Sequence, residues 1–130
     1  MTNKLSVMCV SGTLEKLQMA AMVSSVAAAT GEDVTVFFSM NALKFFLKEN
    51  ADLAPPEEGD FGPLINVEGV PAFRVLFEQA AELGDAKLLA CSMALDLLKV
   101  DPQDLVLDFG PATGLTKFLS DAEDGRIVSF

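Results

Sequence analysis

The sequence predicts a single α/β domain over residues 1–130, built on a mostly parallel five-stranded sheet with helices on both faces. Apolar runs of strand length alternate with longer segments of helical composition, as parallel strands joined by crossover helices do. A length of 130 residues suits one domain. Hydrophobic residues make up 51% of the chain and charged residues 22%, which favours a packed core and excludes disorder.

The first half of the chain contains two predicted strands, each followed by a predicted helix: residues 4–10, 14–30, 33–40 and 42–49. Both strands are nearly continuous apolar runs, which is typical of strands buried on two faces. Thr13 is a suitable N-cap for the long first helix, and Gly31 follows its last turn. Asn41 is the expected cap of the second helix.

The second half repeats the pattern, with helices over residues 71–83, 92–100 and 112–121 and strands over residues 87–91, 105–109 and 126–130. Pro71 occupies a first-turn position that proline tolerates, and Gly84 follows the helix that Pro71 opens. Asp101 caps a turn, and Gly110-Pro111 separates the fourth strand from the last helix.

Residues 50–69, between the second and third helices, are rich in proline, glycine and acidic residues. We expect a long surface loop with apolar contacts at Phe61, Leu64 and Ile65. Long loops in compact domains are either functional lids or irregular excursions. The sequence leaves open whether this one is a lid, a partner contact or neither.

The charge and residue inventory excludes several classes of function. Nineteen acidic residues against nine basic ones give a net charge of -10, which argues against binding nucleic acid or an anionic membrane surface. The chain has no histidine, so imidazole-based catalysis and imidazole metal sites are excluded. The acidic residues are spread out and predict no metal site.

The use of cysteine predicts a cytoplasmic protein. Two cysteines in a chain that can build its own core do not indicate a disulfide scaffold, so we expect both thiols to be free. The apolar stretch at residues 5–10 lacks the features of a signal peptide. Polar residues interrupt the apolar segment at residues 14–29, which is too short to span a membrane.

Cys91 is the main candidate for chemistry. Ligands of open parallel sheets bind at the carboxyl ends of the strands, and Cys91 is the last residue of a predicted strand, directly before a helix. The helix dipole favours the thiolate, which is the nucleophilic form of a cysteine. The alternative is that Cys91 is a small buried hydrophobic residue, and its position alone leaves both possibilities open.

Two further features accompany Cys91. Cys9 lies within the first strand, where an inert core cysteine is expected, although it could resolve a disulfide with Cys91 if the strands were neighbours. The turn formed by Ser11, Gly12 and Thr13 directs backbone N–H groups towards a bound anion, and Lys16 could help to neutralise that anion. A solvated surface lysine is the simpler interpretation of Lys16.

Four stretches of the chain share a pattern with one known family: residues 11–16, 34–40, 89–98 and 110–113. The third stretch contains Cys91, followed two residues later by Met93 and five residues later by Asp96. In these stretches the sequence resembles the DsrE/DsrF/DsrH-like family of small sulfur-handling proteins, and the similarity extends over nearly the whole chain. Residues 50–69 are more acidic and richer in proline than expected for that family.

The resemblance implies a three-layer α/β/α domain in which one cysteine accepts sulfane sulfur as a persulfide and passes it to a partner thiol. Cys91 would be that carrier, and the N–H groups of Ser92 and Met93 would help to hold the donor persulfide. The implied partners are sulfur donor and acceptor proteins, and a homo-oligomer is expected. Exchange between sulfur atoms requires no metal, and no cofactor is expected.

Two other functions stay open. The chain could be a non-catalytic oligomeric binding or scaffold domain with an inert buried cysteine, so sulfurtransferase activity is a hypothesis at this stage. A nucleotide or flavin binder is less well supported, because residues 11–13 lack the glycine-rich length and the Lys-Ser/Thr ending of a phosphate loop.

Overall fold

The computed structural model describes residues 3–130, and these contain a four-stranded sheet with strand order β3-β2-β1-β4. The strands are β1 (Lys4–Cys9), β2 (Asp33–Phe38), β3 (Lys87–Ala90) and β4 (Arg126–Ser129). All three neighbouring pairs are parallel. The carboxyl ends of the strands therefore meet at one edge of the sheet, which we call the carboxyl edge.

The helices cover the two faces of the sheet and connect its strands. They are α1 (Leu14–Ala29), α2 (Met40–Leu43), α3 (Gly62–Ile65), α4 (Phe73–Gly84), α5 (Ser92–Leu98) and α6 (Leu115–Asp121). The chain crosses the sheet from β1 through β2 to β3, and right-handed connections place α1 and α4 together on one face. The return to β4 runs the other way, which places α6 on the opposite face and completes three layers.

Adjacent phenylalanines on β2 anchor both halves of the core. Phe37 stacks on Phe118 of α6 with 4.7 Å between ring centroids. Phe38 points to the other face and contacts the rings of Phe46 and Phe77 at 4.6 and 4.9 Å. This alternation follows from the two-residue period of a strand, and full burial of each ring stabilises the fold by about 2–3 kcal/mol.

The prediction of a fifth strand at residues 105–109 is wrong. Leu105 forms an isolated antiparallel bridge with Leu47, and the Val106 amide donates to the carbonyl oxygen of Phe46 at 2.7 Å, so the segment begins by pairing away from β3. The amides of Gly110 and Thr113 donate to β3 at 2.8 and 3.0 Å. A regular ladder would continue with the Ala112 amide, because alternate residues of a strand bond to the same neighbour, but the donor is Thr113, so the register is broken by one residue. The segment lies beside β3 without becoming part of the sheet.

The predicted helix over residues 42–49 is replaced by shorter pieces: α2, then single 3-10 turns at Lys44–Phe46 and Lys48–Asn50. Phe45, Phe46 and Leu47 are all buried. Successive residues of an α-helix are about 100° apart, so three in a row cannot face one core from a helix lying on its surface. The chain leaves the helical path at Leu47, which is extended.

Other boundaries move by a few residues. The position before α2 is Ser39, and Asn41 lies inside that helix rather than capping it. Thr13 is the residue before α1, but its hydroxyl makes no capping bond. Asp101 forms the predicted cap, in a capping box with Asp104. No helix among residues 3–130 is both long enough and apolar enough to cross a membrane.

Candidate functional site

Cys91 lies at the carboxyl edge, directly after β3, and is the N-cap residue of α5. Its amide donates to the carbonyl oxygen of Phe38 at 2.9 Å, which extends the pairing of β3 with β2 by one residue. The residue retains 6% of its surface exposed. The structure therefore puts this thiol at the junction of strand and helix, close under the surface.

The two residues after Cys91 differ in what their amides can do. The Ser92 amide donates to the carbonyl oxygen of Thr113 at 2.9 Å, so it is not available to a group bound at the sulfur. The Met93 amide belongs to the first turn of α5, where amides have no partner within the helix. The Met93 side chain is exposed beside it.

The turn at Pro111–Thr113 covers the carboxyl edge at Cys91. Thr113 forms an isolated parallel bridge with Cys91, and the Thr113 hydroxyl donates to the carbonyl oxygen of Pro111 at 2.9 Å. Thr113 itself is buried. Thr113 therefore lies directly beside Cys91, in a turn that is held to β3 by a few separate hydrogen bonds.

Cys9 is a buried core residue of β1 with no exposed surface. Burial raises the pKa of the Cys9 thiol to about 12. Cys9 is paired with Phe38, and Phe38 with Ala90, so a whole strand separates Cys9 from the end of β3. Two strand spacings amount to about 10 Å, beyond the roughly 7 Å that a disulfide can bridge between Cα atoms.

The turn between β1 and α1 packs tightly on the start of α2. A Cβ atom on Gly12 would lie 2.8 Å from the carbonyl oxygen of Asn41, so only glycine fits there. Met40 has a φ of 51° and an exposed side chain. The left-handed backbone of Met40 could not be predicted from the sequence, because a methionine gives no indication of such a conformation.

The predicted backbone anion site at residues 11–13 is not formed as expected, because the Ser11 amide donates to the carbonyl oxygen of Phe130 at 3.1 Å, and a carboxylate of the chain itself is held at the start of α1 by side chains. The Thr13 hydroxyl donates to Glu58 Oε1 at 2.7 Å, and Lys16 Nζ lies 3.3 Å from the same oxygen. In the same cluster, the Glu15 carboxylate accepts from the amides of Glu58 and Gly59 at 2.8 and 2.9 Å. These backbone hydrogen bonds lower the pKa of Glu15.

We call this cluster, formed by Thr13, Glu15 and Lys16 with Glu58 and Gly59, the latch. The latch connects residues 50–69 to α1 and accounts for a lysine in the first turn of a helix. Among the predicted site residues, the structure joins Thr13 and Lys16 through Glu58 and places Ser92 and Met93 beside Cys91. The two groups lie on opposite sides of β2.

Comparison with known proteins identifies the family. The family model described as DsrE/DsrF-like matches residues 6–126, which is most of the chain. The chain belongs to the DsrE/DsrF-like family. Proteins of this family are associated with sulfur relay in general.

Individual relatives agree with this assignment. The uncharacterized protein YrkE of Bacillus subtilis strain 168 is 29% identical to the chain, and the alignment covers 99% of this chain and 97% of YrkE. The crystal structure of YchN from E. coli has a TM-score of 0.68 at 13% identity, with both chains covered completely. MTH1491 from Methanobacterium thermoautotrophicum, a protein of unknown function, gives 0.68 at 9% identity over 98% and 99% of the two chains. The solved structures thus share the DsrE-like fold.

Proposed function

We propose that this DsrE/DsrF-like protein carries sulfane sulfur as a persulfide on Cys91. The observation that supports this role is the position of the thiol: of the two cysteines, Cys91 lies at the carboxyl edge with exposed surface remaining, while Cys9 is sealed in the core. A thiol with a pKa of about 12, as burial gives Cys9, stays protonated at neutral pH and cannot act as the nucleophile.

Sulfur is loaded and delivered in two exchange steps. In the first, the Cys91 thiolate attacks the outer sulfur of a donor persulfide, the new S–S bond forms at Sγ, and the donor leaves as a thiolate. In the second, an acceptor thiolate attacks the outer sulfur of the Cys91 persulfide, and Cys91 leaves as the thiolate. Each step forms one S–S bond and breaks another, so no oxidant or reductant is consumed.

We expect residues next to Cys91 to stabilise the bound persulfide. The Met93 amide lies in the first turn of α5, where amides lack a partner within the helix, and it can stabilise the charge of an ionised persulfide. The Pro111–Thr113 turn must shift to admit a partner thiol. The net charge of -10 favours donor and acceptor proteins with a basic docking face.

One observation favours a second function, that of a non-catalytic binding or scaffold domain. Only 6% of the surface of Cys91 is exposed, and free cysteines are common as small core residues. If the turn over Cys91 does not open, the thiol is inert and the fold serves as a platform for assembly.

Intact-mass measurement after incubation with glutathione persulfide tests the carrier function. We expect the wild type and Cys9→Ser to gain the mass of a sulfur atom, and Cys91→Ser to gain none. Adding a thiol acceptor should then return the loaded protein to its original mass. The carrier function is wrong if the wild type gains no sulfur or if Cys91→Ser gains as much.

Alkylation of the native protein over a pH series separates the carrier from the scaffold. A carrier shows one thiol that reacts with iodoacetamide before denaturation, and peptide mapping places it at Cys91. A scaffold shows no reaction at either cysteine until the protein is unfolded.

A further inference from the structure

A cavity of about 560 Å³ lies on the α1 and α4 face of the sheet, apart from Cys91. Its walls are the beginnings of α1 and α4 together with residues 51–55 and 65–70, which belong to the segment between α2 and α4. Helices that return between parallel strands begin at the carboxyl edge, so the cavity opens where α/β proteins bind ligands. Its volume is in the range of small-molecule sites.

One buried side chain in the wall has an acceptor that the protein does not use. Gln18 is 6% exposed, and its Nε2 donates to the carbonyl oxygen of Pro71 at 2.9 Å. No described residue donates to its Oε1, yet the described residues contain no fully buried side-chain polar atom without a partner. This oxygen therefore has accessible surface, and Gln18 lines the cavity.

The start of α4 contributes donors that are also unused. The first hydrogen bond of this helix joins the Leu76 amide to the Ala72 carbonyl oxygen at 3.0 Å, and the described residues provide no acceptor for the amides of Phe73, Arg74 and Val75. Phe73 is 3% exposed and lines the cavity. The helix start is partly exposed, since Ala72 and Val75 contact solvent, so its free amides can meet a ligand that enters the cavity.

Arg74 adds a positive charge at the same place. Its Nε and Nη2 donate to the carbonyl oxygens of Phe45, Asn50 and Leu53 at 2.8–3.1 Å. Its Nη1 makes no hydrogen bond within the described residues, and no carboxylate there is within ion-pair distance of the guanidinium. A carboxylate bound at the start of α4 would meet both the helix amides and this cation.

The remaining lining contains both acidic and apolar side chains. Asp52 and Glu68 line the cavity, and neither forms an ion pair in the described part of the chain. The apolar lining is formed by Leu14, Leu53, Ile65, Val67, Val70 and Phe73. The cavity thus combines a site for an anionic group, a site for a cationic group and an apolar surface.

The wall is held in place before any ligand arrives. Arg74 fixes the main chain at Asn50 and Leu53, and the latch fixes it at Glu58 and Gly59. A cavity with anchored walls loses little conformational entropy on binding.

We propose that this cavity binds an α-amino acid with a hydrocarbon side chain. The ligand carboxylate takes the amides at the start of α4 and Arg74 Nη1, the ammonium group donates to Gln18 Oε1 near Glu68, and the side chain packs on the apolar wall. Residues 51–55 and 65–70 are then a fixed wall of the cavity rather than a lid. The proposal does not depend on sulfur transfer at Cys91.

Titration followed by NMR tests the proposal with three matched probes: L-leucine, isocaproate and isopentylamine. Isocaproate lacks the ammonium group of leucine, and isopentylamine lacks its carboxylate. We expect saturable shifts of the Gln18 and Phe73 amides with leucine, and a Kd at least about tenfold lower than for either other probe, since each lacks one charged contact.

Substitutions of two exposed glutamates provide a test and its matched control. Glu68→Gln removes a carboxylate of the cavity wall and should weaken leucine binding several-fold, while Glu57→Gln, in the same segment but outside the cavity, should leave the Kd unchanged. The proposal is overturned if leucine gives no saturable shift, if either half-probe binds as tightly, or if the two variants behave alike.

Discussion

At the scale of single residues, the two cysteines show how position decides chemistry. Both side chains are identical, and β2 separates the strand that contains Cys9 from the strand that Cys91 follows. Cys9 is inside the sheet and points into the core, whereas Cys91 follows the last residue of a strand. The difference in solvent contact, rather than residue type, makes only one of them a candidate nucleophile.

Cys9 should not react with alkylating reagents in the native protein. Burial raises the pKa of its thiol to about 12, so the thiolate is a negligible fraction at neutral and mildly alkaline pH. We expect Cys91→Ser to take up no iodoacetamide at pH 8 until denaturant is added. Modification of Cys9 in the native variant, detected by peptide mapping, would contradict this.

Glu15 should make the latch sensitive to acid. Backbone hydrogen bonds lower the pKa of Glu15 below its ordinary value of 4.5, so its contribution to stability is complete above that value and is lost as the pH falls through the lowered pKa. Glu15→Gln should therefore lower the urea midpoint at neutral pH but not in strong acid. The control is Glu123→Gln, whose carboxylate forms no hydrogen bond in the described structure; a constant difference across the pH range would count against the latch.

At the scale of elements, we expect the Pro111–Thr113 turn to control access to Cys91. Hydrogen bonds at Gly110 and Thr113 tie this segment to β3 in place of a strand. Segments with few backbone bonds open more often than the strands beside them. We therefore expect this segment to open more readily than a fifth strand would.

Thr113→Ala should speed the alkylation of Cys91. The change removes a hydroxyl that bonds the Pro111 carbonyl oxygen and a methyl group from a buried position, which should raise the rate roughly tenfold. Thr116→Ala, at an exposed position of α6, is the matched control. Equal rates in the wild type and Thr113→Ala would show that the turn does not limit access.

The contact between α1 and α4 should not tolerate a larger residue at Gly84. A Cβ atom there would lie 2.5 Å from Ala28 Cβ and 3.0 Å from the backbone of Ala28, so the two helices would have to separate. Gly84→Ala should lower the free energy of unfolding by about 1–3 kcal/mol. Gly59→Ala, where the added methyl group meets nothing, should change it by less than about 0.5 kcal/mol, and urea titration measures both.

The elements that the sequence predicts correctly are those specified by local patterns. The first three predicted strands and the last are present, because each is an apolar run bounded by turn residues. The run at residues 105–109 has the same composition, but Leu105 and Val106 bond to Leu47 and Phe46, a pairing that composition does not indicate. The helix over 42–49 fails because Phe45, Phe46 and Leu47 must all be buried at once.

At the scale of the whole molecule, contacts between distant segments were beyond prediction. The sequence indicates that Cys91 follows a strand, but it does not indicate that the Thr113 carbonyl oxygen accepts a hydrogen bond from the Ser92 amide. It places Thr13 and Lys16 in one turn, but the carboxylate that joins them comes from Glu58, more than forty residues later. Composition cannot specify such pairings, because many acidic residues could have made them.

The charge of the whole molecule should make its stability depend on salt. The net charge is -10, and the ion pairs of the described residues lie at the surface, where they contribute little. Salt screens the repulsion between the excess carboxylates over about 8 Å at physiological ionic strength. The Tm from calorimetry should therefore rise between low salt and 0.15 M NaCl, a concentration at which screening is of that order. A fall in Tm, reproduced with choline chloride, would contradict this.

The strand that separates the two thiols has a practical consequence for finding partners. A protein with a nearby second thiol releases a captured molecule by closing its own disulfide, and this fold gives Cys9 no path to do so. Any mixed disulfide formed at Cys91 will consequently persist until an outside reductant breaks it. The unaltered protein is thus suited to oxidative trapping, and non-reducing gels can reveal what it meets in the cell.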